Sequence, residues 1–150
     1  MKNKFSIYID KLQKTITSCI EKLEGKSKFK KDNWNREKGG GGLTMVLENG
    51  NIFEKAGVNV SKVYGKLPDS IAKLVKANQS DFFACGISLV LHPKNPMAPT
   101  FHANLRYFEL YENNQLKDSW FGGGLDLTPY YIFEEDVMHF HKSCKKICDK

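Results

Sequence analysis

Residues 88–131 read SLVLHPKNPMAPTFHANLRYFELYENNQLKDSWFGGGLDLTPYY, and their alternation decides the fold. Side chains of a strand point to opposite faces with period two. Ser88, Val90 and His92 share one face of a first segment, with Ile87, Leu89 and Leu91 on the other. In a second segment His102, Asn104 and Arg106 oppose Phe101, Ala103, Leu105 and Tyr107. The spacing predicts strands over 82–92 and 100–111, joined by the Pro-rich loop 93–99 into an antiparallel pair. Ser88, His92, His102, Asn104 and Arg106 then form one polar surface. Two imidazoles, a hydroxyl, an amide and a guanidinium so grouped suit acid/base work on an anion. Alternation of this kind is also how a solvated sheet face looks.

Outward from this stretch, Asn113-Asn114 turns the chain into a further strand around 116–121. Gly122–Gly124 reads as a bend, and Pro129 leads to a closing helix, 133–149, with the stripe Phe133, Val137, Phe140, Cys144 and Ile147 or Cys148. Glu134, Glu135 and Asp136 suit its N-terminal dipole. Upstream, Phe5, Ile9, Leu12, Ile16, Ile20 and Leu23 recur at three- and four-residue steps, the apolar stripe of an amphipathic helix that Gly25 ends. A Lys-rich link spans 26–38, and Gly39–Gly42 reads as a flexible bend. Asn49-Gly50 between Leu43–Leu47 and a Val58/Val60/Val63 arm is a hairpin signal. Pro68-Asp69-Ser70 opens a short helix with Ile71, Leu74 and Val75 inward. The pattern is α+β: an antiparallel β-sheet flanked by helices, in a single domain over 1–150 whose first 31 residues are a basic amphipathic helix and link.

The net charge of +6 is unevenly spread. Residues 1–31 hold nine Lys against three acidic groups, whereas 32–150 balance 14 basic with 14 acidic. The body is neutral, so no nucleic-acid partner is expected. The apolar runs are too short for a membrane span. Lys and Asp interrupt the apolar positions of residues 1–20, unlike a secretory signal. Four scattered cysteines point to a reduced, cytoplasmic protein.

Gly39–Gly42 lacks the Lys-Ser/Thr ending of a phosphate loop. Gly122–Gly124 followed by Asp126 reads either as a tight turn with a capping Asp or as backbone that a flat ligand approaches. His139 and His141 lie about 200° apart on a helix and do not serve one ion. His141, Cys144 and Cys148 share a face that is also the apolar stripe. Phe83, Ala84 and Ile87 around Cys85 mark it as core.

Three blocks, WNREKGGGGLTMVLENGNIFEKAGVNVSKVYG from Trp34, GISLVLHPKNPMAPTFHANLRYFE from Gly86, and WFGGGLDLTPYYIFEEDVMHFH from Trp120, resemble the oxygen-dependent coproporphyrinogen-III oxidase family. The resemblance implies conversion of two propionates of coproporphyrinogen III to vinyl groups in haem biosynthesis. O2 is the co-substrate, CO2 is released and protoporphyrinogen IX is formed. It further implies no organic cofactor, a divalent metal whose need is disputed, and a homodimer. By the same resemblance His102 is the proton donor, and Ser88, Asn104, Leu105 and Arg106 bind substrate. Asp126 faces the pyrrole N–H groups, and His92 and His141 stand at proposed metal-ligand positions. Members of that family are longer than this chain. An incomplete sheet, a pocket open on one side and a metal site short of a ligand are the corresponding expectations. The alternative reading is a truncated, non-catalytic porphyrinogen-binding or interaction module.

Overall fold

The computed structural model describes residues 1–74 and 80–149, the side chain of Leu74 excepted. The elements run α1 (Lys2–Glu24), β1 (Lys30–Asn35), β2 (Gly40–Glu48), β3 (Phe53–Lys66), α2 (Asp69–Leu74), β4 (Asp81–Pro93), β5 (Thr100–Glu112), β6 (Gln115–Thr128) and α3 (Glu134–Cys148). Each strand pairs antiparallel with its successor, giving one sheet in the order β1 to β6. The α+β architecture read from the sequence is the architecture observed.

Local chemistry makes the hairpins. Asn113 (φ 50°) and Asn114 (φ 61°) both take the left-handed conformation that a two-residue turn needs to match strand twist. Asn49 (φ 55°) does the same between β2 and β3. Gly39 (φ 109°) and Gly40 (φ 88°) turn β1 into β2, closed by the Arg36 N–H on the Gly40 carbonyl at 2.8 Å.

One face of the sheet packs under α1. Ile9 and Ile20 are buried against Met45, Leu47, Val58, Val60, Phe83 and Ile87, with Phe5, Leu12 and Ile16 partly buried beside them. Each fully buried aliphatic side chain contributes about 2 kcal/mol. The predicted stripe needs one correction: Leu23 is 62% exposed, and the helix instead buries Gln13, Thr17 and Glu24. These polar groups are buried because each finds partners. The Gln13 amide donates to the carbonyls of Leu43 and Val58, both at 2.9 Å. The Glu24 carboxylate accepts the N–H groups of Ile52 (2.9 Å), Phe53 (3.1 Å) and Asn51. Burial pushes its pKa up, but those backbone donors outweigh burial and hold it below the usual range. Glu24 thus ties the end of α1 to the β2–β3 turn. On the same face Glu109, 4% exposed, accepts the hydroxyls of Tyr107 (2.7 Å) and Tyr111. The bond to Glu109, with burial and its charge, pushes the Tyr111 pKa up to about 12.

Several local readings change. The Lys-rich link contains β1, because the glycine turn folds residues 30–35 back along β2. Gly40–Gly42 belong to β2, and Gly122–Gly124 lie inside β6, paired with Arg106, Leu105 and Asn104. No bend forms there, since Asn113-Asn114 has already reversed the chain. Ile71 is exposed, and of α2 it is Ala72 that packs, against a small cluster of Leu67, Phe82, Phe108 and Leu110. Val75 and the Leu74 side chain lie outside the described residues. In α3 only Val137, Phe140 and Cys144 of the predicted stripe are half-buried, while Phe133, Ile147 and Cys148 are exposed. Phe140 meets Phe101 edge-on at 6.4 Å.

Candidate active site

The face of the sheet opposite α1 is made of the positions that alternate with the core. Register sets them in rows across the strands. Thr44, Asn59, Ser88, Asn104 and Gly124 form one row. On one side lies Trp34, Gly42, Ser61, Gly86, Arg106 and Gly122. On the other lies Val46, Gly57, Val90, His102 and Asp126. Directly opposed residues on neighbouring strands stand about 5 Å apart, so each row is a line of possible ligand contacts.

His102 and Asp126 are one such opposed pair. His102 Nδ1 bonds Asp126 Oδ1 at 2.6 Å, and the Thr128 hydroxyl donates to the same oxygen at 3.0 Å. The bond from His102, aided by Thr128, holds the Asp126 carboxyl below the usual range against a smaller opposing effect of desolvation. The carboxylate fixes the imidazole tautomer and orientation and leaves Nε2 as the free ring nitrogen. Both bonds fall on Oδ1, so Oδ2 stays available for a ligand N–H. The two side chains are 41% and 60% exposed, open to whatever approaches this face.

The glycines here do two different things. A methyl group at Gly42 would stand 2.5 Å from Trp34 Cζ2, so that glycine seats the indole against the sheet. A methyl group at Gly122 would meet nothing within 4 Å, and at Gly124 only the Asn104 amide nitrogen at 3.7 Å. Packing does not require glycine at these two positions. Their effect is a flat floor beside His102 and Asp126, onto which a broad ligand can settle closely.

Cavities open on the face, and two of them adjoin the residues named above. One of ≈ 300 Å³ is lined by Trp34, Thr44, Asn59, Ser61, Ser88 and Arg106, among others. The second, ≈ 230 Å³, is lined by His92, Thr100, His102, Thr128, Pro129 and Tyr130. Of the residues singled out from the sequence, Ser88, His92, His102, Asn104, Arg106 and Asp126 share this face. Leu105 lies on the other face, opposite Gly123. The His92 and His102 rings meet edge-on at 6.1 Å. His141 is exposed on α3, beside Phe140, which packs on Phe101 of the other face. Among the described residues no three His, Cys, Asp or Glu side chains are grouped to hold a metal ion.

Asn59, Thr44, Ser61 and Trp34 were missed as site residues. For Asn59 and Ser61 the signal lies in the Gly57-Val58-Asn59-Val60-Ser61 alternation, that of a strand with one polar face; Thr44 on β2 and Trp34 on β1 lie outside it.

The family model described as coproporphyrinogen III oxidase matches residues 4–150. The chain is 51% identical over 158 residues to coproporphyrinogen-III oxidase 1, chloroplastic, of Arabidopsis thaliana, covering 98% of this chain and 41% of that protein. It is 53% identical over 142 residues to the oxygen-dependent coproporphyrinogen-III oxidase of Prochlorococcus marinus, covering 93% and 40%. To the mitochondrial oxygen-dependent enzyme of Homo sapiens it is 43% identical over 159 residues, covering 100% and 35%. The chain spans about two fifths of the length of these curated relatives. No helix among the described residues is long and apolar enough to cross a membrane. A chain matched over nearly its whole length belongs to the coproporphyrinogen III oxidase family.

Proposed function

We propose that the open face binds coproporphyrinogen III and carries its O2-dependent oxidative decarboxylation. The observation that carries this reading is the His102–Asp126 pair beside a bare glycine floor, one turn of the alternation away from Ser88 and two from Arg106. Each conversion removes CO2 and a hydrogen with its electron pair from a propionate, leaving a vinyl group. Dioxygen takes that hydrogen with its electron pair and one further proton from solvent, so atoms and charges balance with hydrogen peroxide as the reduced product. In this scheme Arg106 pairs with a propionate through its planar fork. Asp126 Oδ2 accepts pyrrole N–H groups and stabilises positive charge growing on the ring. His102 exchanges a proton at Nε2, held in position by the bond at Nδ1.

A second reading rests on the exposure of this pair: a face this open binds a porphyrinogen without turning it over. An aerobic assay of the chain with freshly reduced coproporphyrinogen III, following porphyrin fluorescence of the product, separates the two. Turnover above an Arg106→Ala control supports the oxidase; tight binding with no turnover supports the binding module. No binding at all by folded protein excludes both. For the partner, a second copy of this chain suits β6, whose outer edge has no strand beside it among the described residues and which exposes Leu116, Trp120, Phe121 and Leu125. Sedimentation at several concentrations tests that, and a monomer throughout overturns it.

A further inference from the structure

A cavity of ≈ 430 Å³ lies beside α1, on the side of the sheet away from His102, and the porphyrinogen scheme makes no use of it. Helix α1 supplies Asp10, Gln13 and Lys14 to its lining, and β3 supplies Lys62. Asn33 and Asn35 of β1 stand opposite Leu43 and Gly41 in the ladder. They therefore share the face of Leu43, which packs against the core under α1. The volume is that of a small-molecule site.

Gln13 is the informative residue, only 2% exposed. Its amide nitrogen donates to the carbonyls of Leu43 and Val58. Carbonyls only accept, so these two bonds settle which way the amide is turned. The oxygen is left over. Gln13 Oε1 has no hydrogen-bond partner among the described residues, yet it is not sealed off. Since Gln13 lines the cavity, the cavity is where Oε1 is reached. A nearly buried acceptor at a cavity wall needs a donor from whatever occupies the space.

Charge says what kind of ligand brings that donor. Asp10 Oδ2 is ion-paired with Lys62 at 2.5 Å, which leaves Oδ1 as a second open acceptor. Lys14 is exposed and has no ion-pair partner among the described residues. The lining thus sets one carboxylate against two ammonium groups. A bare cation is repelled by that balance, and a bare anion leaves Gln13 Oε1 and Asp10 Oδ1 unanswered. Asp10, Gln13 and Lys14 stand at i, i+3 and i+4 on α1, with Cβ atoms roughly 5–6 Å apart across the turn. Acceptors and cation are therefore close together, and so must be the ammonium and carboxylate that answer them.

We propose that this cavity binds a free α-amino acid. The ammonium donates to Gln13 Oε1 and Asp10 Oδ1, the carboxylate faces Lys14, and the amides of Asn33 and Asn35 stand at the rim.

Melting of the chain with the common L-amino acids, one at a time, is the first test. At least one is expected to raise the melting temperature by a few degrees when well above its Kd, because it binds only the folded chain. The N-acetyl derivative of that amino acid lacks the ammonium, and its methyl ester lacks the carboxylate charge. Each is expected to bind about tenfold more weakly, or worse, by calorimetric titration. Lys14→Glu sets a like charge against the carboxylate and is expected to weaken the amino acid about tenfold. Gln13→Met removes Oε1 and should do the same; it also removes the bonds to β2 and β3, so Lys14→Glu serves if that variant fails to fold. No change in melting with any amino acid overturns the proposal and leaves a cavity filled by water. Binding that survives Lys14→Glu undiminished places the ligand elsewhere and overturns it as well. An ester that binds as tightly as the free amino acid overturns the assignment to a zwitterion. The porphyrinogen reading, tested on the other face, stands or falls independently of these outcomes.

Discussion

The two faces of this sheet come from the same strands and could hardly differ more. Under α1, Leu47, Val58 and Ile87 lie in a closed core where every buried polar group described above has its partner. One residue along each strand, the other face carries Gly57, Asn59, Ser88, His102 and Asp126, is open, and keeps one buried acceptor unpaired. The closed face gains its stability from burial. The open face has given up burial in exchange for glycine, imidazole and guanidinium, and must be judged by what it holds. Stability and function are thus separable by face, and substitution on one should leave the other's readout unmoved.

The hardest test of that separation is His102→Ala. Turnover is expected to fall about 10²–10⁴-fold, the usual worth of a positioned acid/base group, with Kd for coproporphyrinogen III nearly unchanged. Parallel loss of affinity would mean that His102 holds substrate and that the division of roles is wrong. Arg106→Ala is expected to raise Kd about a hundredfold while the melting temperature stays within a degree or so, because the side chain is exposed. A large fall in melting temperature would show that the open face also supports the fold. On the closed face, Ile9→Ala should cost about 3 kcal/mol in denaturant unfolding and leave the affinity of the folded fraction alone.

Smaller effects sharpen the contrast. Glu24 has a depressed folded-state pKa, so its contribution is present above the unfolded carboxylate value and is lost as pH falls through the folded one. Glu24→Gln should therefore be less stable than the parent at neutral pH, with the gap closing in acid. A gap that stays constant with pH would deny the carboxylate its role at Asn51, Ile52 and Phe53. Gly122→Ala is the finest probe. Nothing stands within 4 Å of the added methyl, so stability should shift by no more than about 0.5 kcal/mol while porphyrinogen affinity drops several-fold. Unchanged affinity would mean the ligand does not rest on this floor.

Much of this was legible without coordinates. Helix α1, both Asn turns and the alternation through Ser88 and His102 follow from side-chain chemistry and period, which act within a few residues. Other features were not. Strand β1 hides among lysines because an edge strand needs no apolar face, only a neighbour to bond. The glycines of β6 look like a bend because glycine disfavours strands, and the ladder from β5 overrides that preference. Asn59 was passed over among valines although its alternation is as regular as that of Ser88, since no titratable group marked it.

By itself, the sequence determined which residues of β4 and β5 face the same way and that the chain reverses at the two Asn turns, because both depend on backbone preferences a few residues long. Only the tertiary structure decided which strand positions stand side by side. His102 meets Asp126, and Asn59 meets Ser88, through registers set jointly by turns, by α1 clamping the opposite face and by the pairing of six strands. A slip of one residue would turn every one of these side chains to the wrong face. That register is a property of the whole sheet, and the site exists only within it.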